Sequence, residues 1–437
     1  MLDDRALFGQ PRGLGLLFMA EMWERFSYYG MRALLILYLV NGLGWGTARA
    51  ASLYGTYTMA VYFTPLIGGY VADRWIGTRT ALVVGGLIIA AGHFSLAIAS
   101  MPTFYLGLTL IVIGTGFFKP NVSTMVGQLY PEGDQRRDSG FTIFYMGINI
   151  GAFLGPIICG YLAQTSGFGW HYGFAAAGVG MVLGLIMYLA FRDKYLPGIG
   201  LRRAPAPARV NGATGAEADT PHEEQRRIVA LFIVAFFVFL FWLGYEQAGS
   251  SLNLFADKHT NLDVRGYHLR SSWFQSVPAF WVVVLAPAFA ALWGALRRRD
   301  REPSTPMKMT IGLALLGVSF VLLVFAGREA DTGVLVSPLW LVVAYMFQVF
   351  GELCVSPVGL SYVTKVAPVR FASLLMGVWF LASSAASKVG GWLAGMLETI
   401  PSLSTFFMIF VVVSFGASLL VLVLVPLLRR LTRSVRA

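Results

Sequence analysis

Residues 11–42 read PRGLGLLFMAEMWERFSYYGMRALLILYLVNG, a long apolar stretch that carries charged side chains near its middle. About 20 consecutive apolar residues are enough for a helix to cross a bilayer. Long, nearly uncharged blocks of the same kind recur along the whole chain. This pattern predicts an all-α membrane protein with about twelve transmembrane helices.

The predicted helices are separated by short polar loops and by one long polar stretch. Their approximate positions are 11–42, 48–72, 79–99, 102–130, 138–165, 168–191, 227–256, 270–296, 306–327, 335–366, 370–396 and 402–428. The long stretch at 192–227 is rich in Ala, Pro, Gly and charged residues, which is typical of a flexible linker. We therefore predict a six-helix bundle at 1–191, a cytoplasmic linker at 192–227 and a second six-helix bundle at 228–437.

The composition excludes several classes of protein. Of the 437 residues, 57% are hydrophobic and 13% are charged, whereas soluble domains have roughly 45–50% and about 25%. The two cysteines lie in apolar blocks and can build neither a disulfide framework nor a metal cluster. No HExxH, GxSxG or P-loop pattern occurs, so the sequence indicates neither an enzyme nor a metal site.

The net charge of +11 reflects membrane topology rather than a nucleic-acid partner. With the N-terminus inside, the inner loops, linker and tails hold 24 Lys and Arg residues, the outer loops five and the membrane four. This asymmetry follows the positive-inside rule. We therefore expect a multi-pass protein of the bacterial inner membrane with both termini in the cytoplasm.

Four cations and four anions fall within the predicted helices, where an isolated charge costs several kcal/mol. They are Arg25, Arg32, Lys119, Lys388, Glu21, Glu24, Glu246 and Glu352. Such a balanced set has to face other polar groups or water, which indicates a functional site between helices. The alternative is a set of purely structural ion pairs.

The first helix gathers its charges on one face. Glu24, Arg25, Tyr28 and Arg32 follow Glu21 at intervals of 3, 4, 7 and 11 residues. At about 100° per residue, these intervals place all of them within about 60° of Glu21. The resulting polar stripe is about 16 Å long and cannot face lipid.

Depth in the membrane matches two cations of the first half with two anions of the second. Arg32 lies 21 residues from the inner start of its predicted helix, and Glu246 lies 19 residues from the inner start of its own. Lys119 and Glu352 each lie 17 residues from the outer starts of their helices. We predict an Arg32–Glu246 ion pair in the outer half and a Lys119–Glu352 pair near or below the middle, acting as alternating gates.

Five motifs occur in order along the chain. They are EMWERF at 21–26, GTGFFKPN at 114–121, FYMGINIG at 144–151, FW and EQ within 241–247, and GELCVSP at 351–357. With these motifs, both halves of the chain resemble the proton-dependent oligopeptide transporter (POT) family of the major facilitator superfamily. The loop GYVADRWIGTR at 69–79 is similar to the conserved cytoplasmic loop of that superfamily.

The resemblance implies the major facilitator fold, with two six-helix bundles around a central site. It implies a symporter that imports di- and tripeptides by alternating access and is driven by the inward proton gradient. The coupling ion would be the proton, and no other cofactor is expected. The expected partners are peptides and the lipid bilayer, and we expect a monomer.

The resemblance also implies a binding site for each end of a peptide. Arg25, Arg32 and Lys119 would bind the carboxylate, for which the planar fork of arginine is suited. Glu352 and Asn149 would receive the ammonium group. Aromatic residues would line the pocket for the peptide side chains, with packing or lipid-facing positions as the alternative: Tyr28, Tyr29, Tyr62, Trp242 and Trp379.

Proton coupling, by the same resemblance, would use Glu21, Glu24, Arg25 and Glu246. A buried carboxylate beside a cation can be tuned to bind a proton within the working pH range. Protonation of Glu246 would free Arg32 for the peptide carboxylate and open the outer gate. The carboxylates of the first helix would couple proton release to peptide release inside.

Further positions bear on gating and on substrate recognition. Asp73 and Arg74 in the loop after the second helix would lock the inner side through ion pairs and a helix end. Residues 278–279 are Pro-Ala where the family usually has Asn-Pro, which weakens the expected ammonium site. Lys388 would either reach the membrane surface or pair with Glu398.

Two alternatives remain open at this point. Another proton-coupled carrier, for nitrate, amino acids or glycosides, could share the fold. A polytopic membrane enzyme or a channel is the second alternative, although a channel needs no gates between the two halves.

Overall fold

A computed structural model of the chain describes residues 5–6, 9–131, 133–201, 221–368 and 371–432. Within these residues almost all secondary structure is helical, and each of the four β-strands has two residues. The prediction of an all-α fold is therefore confirmed.

Six long helices precede the predicted linker. They are α1 (Arg12–Leu37), α2 (Thr47–Val71), α3 (Thr78–Leu96), α4 (Met101–Gln128), α5 (Arg137–Gln164) and α6 (Trp170–Tyr195). Six long helices and one short one follow it. They are α7 (Pro221–Tyr245), the short α8 (Ser251–His259), α9 (Val277–Arg298), α10 (Thr305–Ala330), α11 (Leu339–Val366), α12 (Ala372–Ala394) and α13 (Leu403–Leu431). The strands are β1 (Arg5–Ala6), β2 (Gln10–Pro11), β3 (Asp263–Val264) and β4 (Tyr267–His268).

Nine helical segments in the described part of the chain are long and apolar enough to cross a membrane. The helices α1, α2 and α12 are not among these nine, although they have 26, 25 and 23 residues. In α1 the reason is visible in the sequence, because the helix contains five charged residues. The chain therefore has membrane-spanning helices, and the number of twelve crossings stays a prediction.

The described residues fall into two compact units. The first unit contains the chain up to Trp45, residues 60–201 and His268–Phe280, and the second contains Gly46–Met59, residues 221–267 and the chain from Trp281 onward. The ends of the predicted linker are helical, since α6 continues to Tyr195 and α7 begins at Pro221, and residues 202–220 lie outside the described part. The bundle boundaries at 191 and 228 stay predictions.

Glycines let the helices of the first unit approach closely. A Cβ atom on Gly92 of α3 would lie 2.8 Å from the carbonyl oxygen of Gly107 of α4. A Cβ atom on Gly114 of α4 would lie 2.6 Å from the carbonyl oxygen of Gly85 of α3. Helices in a bilayer associate through such close packing, because lipid is as apolar as the side chains that it would replace.

The residues before α9 pack on α5 within the first unit. A 3₁₀ segment, Ser271–Ser276, replaces the start of the span predicted at 270–296. Its side chains bond to α5 through Ser272 Oγ to Gln164 Oε1 (2.6 Å), Trp273 Nε1 to Ile157 O (3.0 Å) and Ser276 Oγ to Phe153 O (2.7 Å). Pro278 then occupies the first turn of α9, where its missing N–H leaves no helical hydrogen bond unmade.

In the second unit the start of α2 packs on α12. A Cβ atom on Gly391 of α12 would lie 2.6 Å from the Cα atom of Gly55. Beside this crossing, Lys388 Nζ donates a hydrogen bond of 2.6 Å to Thr56 Oγ1. The alternative that paired Lys388 with Glu398 is wrong, because Glu398 Oε1 lies 3.2 Å from Lys258 Nζ instead. A hydroxyl within reach at the helix crossing decides the partner of Lys388.

Candidate functional site

A buried ion-pair cluster occupies the middle of α1. The guanidinium of Arg25 holds Glu24 with two hydrogen bonds, Nε to Oε2 at 2.5 Å and Nη2 to Oε1 at 2.7 Å. Its Nε also lies 3.4 Å from Glu21 Oε1. The three residues are at most 3% exposed. One cation therefore neutralises part of the charge of two carboxylates inside the first unit.

Helix α5 can reach this cluster because the motif at 144–151 ends in glycine. A Cβ atom on Gly151 would lie 2.2 Å from the carbonyl oxygen of Met22 and 2.9 Å from Cβ of Arg25. One turn further along, a Cβ atom on Gly155 would lie 2.4 Å from the carbonyl oxygen of Phe26. The glycines of α5 thus seat it directly against the charged face of α1.

One carboxylate oxygen of the cluster has no donor. Glu21 Oε2 is buried and accepts no hydrogen bond from any described residue. A buried carboxylate oxygen without a donor is costly when it is charged and acceptable when it carries a proton. Glu21 therefore has an atom at which a proton can bind without breaking an existing hydrogen bond.

Aromatic rings lie close to two cations of the first unit. Arg25 Cζ lies 5.0 Å from the ring centre of Tyr28 and 6.0 Å from that of Tyr29. Lys119 Nζ lies 5.1 Å from the ring centre of Tyr62. These distances allow cation–π attraction, which is strengthened where water is excluded.

Arg32 and Asn149 complete the predicted residues near the middle of the first unit. Arg32 is 9% exposed, so the whole predicted stripe of α1 is buried, as a stripe that avoids lipid requires. Asn149 is 7% exposed and donates its amide N–H₂ to the carbonyl oxygen of Tyr145, 2.9 Å away in the same helix. That bond uses the amide nitrogen, and the amide oxygen of Asn149 is an acceptor that could interact with a cation.

In the second unit, one of the predicted site residues lies at a helix break. The predicted span at 227–256 is interrupted, since α7 ends at Tyr245 and a 3₁₀ turn, Glu246–Gly249, precedes α8. Gln247 stabilises the break, because its Nε2 donates to the carbonyl oxygens of Leu243 (3.2 Å) and Gly390 (3.1 Å). Glu246, which is 6% exposed, therefore lies at a discontinuity, where functional residues are often found.

Glu352 has a partner that the sequence did not reveal. The hydroxyl of Tyr245 donates a hydrogen bond to Glu352 Oε2, which joins α7 to α11. One turn before Glu352, Gln348 is 1% exposed, and neither of its amide atoms has a hydrogen-bond partner among the described residues. Two sequence positions could have pointed to these residues. Tyr245 directly precedes Glu246, and Gln348 lies one helical turn from Glu352.

The predicted tryptophans differ in exposure. Trp379 of α12 is 5% exposed, which excludes a lipid-facing position for it. Trp242 of α7 is half-buried, and its ring meets that of Tyr245 edge-on at 5.2 Å between centres. The burial of Trp379 fits a residue packed between helices and a residue that lines the substrate pocket equally well.

The loop after α2 differs in detail from the expectation. Asp73 and Arg74 are exposed, and neither makes an ion pair with a described residue; Arg74 Nη1 donates to the hydroxyl of Tyr70 at 2.7 Å. Desolvation by neighbouring protein atoms raises the pKa of Asp73, although its side chain is largely exposed. The ion pair of this loop is made by Arg79, whose Nη1 lies 3.0 Å from Asp193 Oδ1 beyond the end of the predicted sixth span.

The predicted site residues divide between the two units. The first unit holds Glu21, Glu24, Arg25, Tyr28, Tyr29, Arg32, Tyr62, Asp73, Arg74, Lys119 and Asn149, and the second holds Trp242, Glu246, Glu352 and Trp379. The Arg32–Glu246 and Lys119–Glu352 gates join residues of different units and stay predictions. Within the residues that the structure describes, no group of three or more His, Cys, Asp or Glu side chains could hold a metal ion.

Comparison with known proteins gives consistent matches over nearly the whole chain. The POT family profile matches residues 79–196 and 208–410. The uncharacterized transporter YclF of Bacillus subtilis is 39% identical, over 99% of this chain and 97% of its own. A di-/tripeptide transporter of Lactococcus lactis subsp. cremoris is 35% identical, over 88% of this chain and 89% of its own.

The fold is also shared with a solved structure. A mutant of a peptide transporter POT, crystallised in complex with alafosfalin, superposes with a TM-score of 0.89 at 37% sequence identity. The match covers 98% of this chain and 97% of that one. All three similar proteins are named as transporters and none as an enzyme.

Proposed function

The chain belongs to the POT family of the major facilitator superfamily, and from this premise we propose that it imports di- and tripeptides together with protons by alternating access. It is a transporter and not an enzyme. The observation that carries the proposal is the buried cluster of Glu21, Glu24 and Arg25, which combines a fixed cation with a carboxylate oxygen that can bind a proton.

Both ends of a peptide would find groups of opposite charge. Arg25, Arg32 and Lys119 would bind the carboxylate, and Glu352 with Asn149 would bind the ammonium group. The amide of Asn149, which offers an acceptor oxygen, and its buried position support this assignment. The similar proteins support the substrate class, since one is named a di-/tripeptide transporter and one was solved with alafosfalin.

Aromatic side chains would contact the variable part of the peptide. Tyr28, Tyr29 and Tyr62 lie against the cations of the first unit, so a peptide bound to those cations would meet their rings. Trp242 and Trp379 would serve the same purpose in the second unit. Flat apolar surfaces of this kind accept many side chains, which fits a carrier with broad specificity.

The proton would reach the cluster through its carboxylates. A proton on Glu21 Oε2 removes one negative charge next to Arg25 and so loosens the hold of the carboxylates on the guanidinium. Arg25 is then available to a peptide carboxylate, and loss of the proton reverses the change. Glu246 would act in the same way on Arg32, with the helix break at Tyr245 allowing it to move.

Gating would rest on ion pairs that form and break in turn. Arg32 with Glu246 would close the outer side, and Lys119 with Glu352 would close the inner side together with Asp73 and Arg74. The excess of Lys and Arg in alternate loops supports an inner-membrane location with cytoplasmic termini. We further propose that the protein works as a monomer.

The test is uptake of labelled dialanine by proteoliposomes with and without an inward proton gradient. Wild type should accumulate dialanine only with the gradient, and Lys119→Ala should reduce accumulation at least tenfold. Glu302→Gln, a change in the loop between α9 and α10, is the control and should transport normally. Accumulation without a gradient, or competition by nitrate, single amino acids or glycosides but not by other dipeptides, would contradict the proposal.

A further inference from the structure

Helix α7 and helix α11 are joined by one side-chain hydrogen bond at the level of Glu352. The donor is the hydroxyl of Tyr245, and the acceptor is Glu352 Oε2, 107 residues further along the chain. Tyr245 is the last residue of α7 before the 3₁₀ turn that begins at Glu246. The donor hydroxyl therefore lies at the C-terminal end of α7, where the helix changes into a 3₁₀ turn.

The ring of Tyr245 is held by its neighbours independently of Glu352. It is stacked on Phe241 with 5.8 Å between ring centres and an interplanar angle of 25°. On another side, Trp242 meets it edge-on at 5.2 Å and 78°. Such aromatic pairs add about 0.5–1.5 kcal/mol beyond the burial of their area. These ring contacts fix the position of the Tyr245 hydroxyl without any contribution from Glu352.

The backbone of Glu352 is equally well defined. Its neighbour Gly351 lies so close to α10 that a Cβ atom there would be 2.7 Å from the carbonyl oxygen of Gly312. With both backbone and hydroxyl held in place, the hydrogen bond selects one orientation of the carboxylate. The Glu352 side chain itself is 9% exposed, so it keeps a small accessible surface.

Only one oxygen of Glu352 is used by this arrangement. Oε2 accepts the hydrogen bond from Tyr245, whereas Oε1 accepts none from the residues that the structure describes. A hydroxyl donor stabilises the charged carboxylate and leaves its second oxygen for a cation. Glu352 can therefore accept a hydrogen bond from one further donor through Oε1.

We propose that Tyr245 is a positioning residue for Glu352, whose free oxygen Oε1 it directs toward the ammonium group of an incoming peptide. This inference rests on the proposed function, in which Glu352 receives the peptide amino terminus. Because the hydroxyl acts through Glu352, removing it weakens the binding of ligands with a free amino group. Ligands without that group bind as before.

The experiment measures the Kd of purified protein for dialanine and for propionyl-alanine, which is dialanine without its amino group. Tyr245→Phe removes only the hydroxyl and keeps the aromatic ring. We expect its Kd for dialanine to rise about tenfold, since a hydrogen bond to a charged group contributes about that factor. The Kd for propionyl-alanine should stay unchanged. Tyr188→Phe, which removes a hydroxyl bonded only to the sulfur of Met125 among the described residues, is the control and should change neither Kd.

A double-mutant cycle separates positioning from a general structural role. In a Glu352→Gln background, the further change Tyr245→Phe should alter the Kd for dialanine less than twofold. An equal loss for both ligands, or a full tenfold loss in the Glu352→Gln background, would overturn the inference.

The cycle also distinguishes this inference from the proposed function. If Glu352→Gln binds dialanine as wild type does, the role of Glu352 in the proposed function fails, and the inference fails with it. If Glu352→Gln weakens binding and Tyr245→Phe does not, the inference alone fails.

Discussion

The two units stabilise their buried carboxylates in different ways. In the first unit, Glu21 and Glu24 share the cation Arg25, which lies on the same helix within four residues of both. In the second unit, Glu352 accepts a hydrogen bond from the neutral hydroxyl of Tyr245 on another helix. A carboxylate bound to a fixed cation stays charged until a proton displaces the cation, whereas one bound to a hydroxyl can still attract an ammonium group. In the proposed function, Glu21 and Glu24 would accordingly take part in proton coupling and Glu352 would receive the ammonium group.

The largest effect is expected for Glu24→Gln, which tests whether the charged carboxylates of the first unit couple proton movement to peptide movement. The change removes the charge that holds Arg25 with two hydrogen bonds, so proton and peptide movements should become uncoupled. We expect gradient-driven accumulation of dialanine to fall at least tenfold, while exchange of dialanine across the membrane without a gradient continues. Both rates can be measured in the same proteoliposomes. Uphill accumulation at the wild-type level would show that the coupling carboxylate lies elsewhere.

A second prediction concerns the packing that places the first cluster. Gly151→Ala adds a Cβ atom 2.2 Å from the carbonyl oxygen of Met22, so α5 has to move away from Arg25. Overpacking of this kind costs about 1–3 kcal/mol. We expect a lower melting temperature and slower uptake than in wild type.

The matched control for that prediction is Gly416→Ala. The added Cβ atom there has nothing within 4 Å, so the melting temperature should not fall. Equal melting temperatures for the two variants would mean that α5 does not depend on Gly151 to approach α1.

A third prediction concerns Lys388, a cation that donates a hydrogen bond to a hydroxyl and not to a carboxylate. Thr56→Val removes the acceptor of the hydrogen bond from Lys388 and keeps the shape of the side chain. Both residues are partly exposed, so the loss should be on the order of 0.5–1 kcal/mol. The measurement is the melting temperature, and Thr56→Ser, which keeps the hydroxyl, should restore most of it. A variant as stable as wild type would show that the bond contributes nothing.

The smallest effect is expected at a surface carboxylate. Hydrogen bonds from Arg297 and Lys308 lower the pKa of Glu302 to about 2. A lowered pKa contributes stability that is present above the ordinary value of 4.5 and is lost as the pH falls through about 2. Glu302→Gln should therefore lower the melting temperature by about 1 °C at pH 7 and by less at pH 3. A larger difference at pH 3 than at pH 7 would contradict this linkage.

Local patterns were sufficient for the first site and insufficient for the second. The spacing of Glu21, Glu24 and Arg25 along one helix predicts their proximity, because residues three and four apart lie on the same face. The same reasoning cannot find Tyr245, since its partner Glu352 is 107 residues away. For the same reason the sequence does not reveal Thr56 as the partner of Lys388, because Thr56 is 332 residues distant and carries no charge.

Helix boundaries show a similar limit. The apolar stretch at 227–256 reads as one span, yet it contains a 3₁₀ turn at Glu246–Gly249. The turn is stabilised by Gln247, which bonds to the carbonyl oxygen of Gly390 in α12. Hydropathy is averaged over many residues, so it cannot register a break that a distant backbone group stabilises.

The sequence by itself determined that the chain is a helical membrane protein, which buried charges it contains and to which family it belongs. These properties depend on composition and on short spacings, which a linear pattern carries completely. Only the tertiary structure decided the distant partners of two of these charges: a tyrosine hydroxyl for Glu352 and a threonine hydroxyl for Lys388. The reason is physical, because a hydrogen bond depends on distances of about 3 Å between atoms that the order of residues along the chain leaves open.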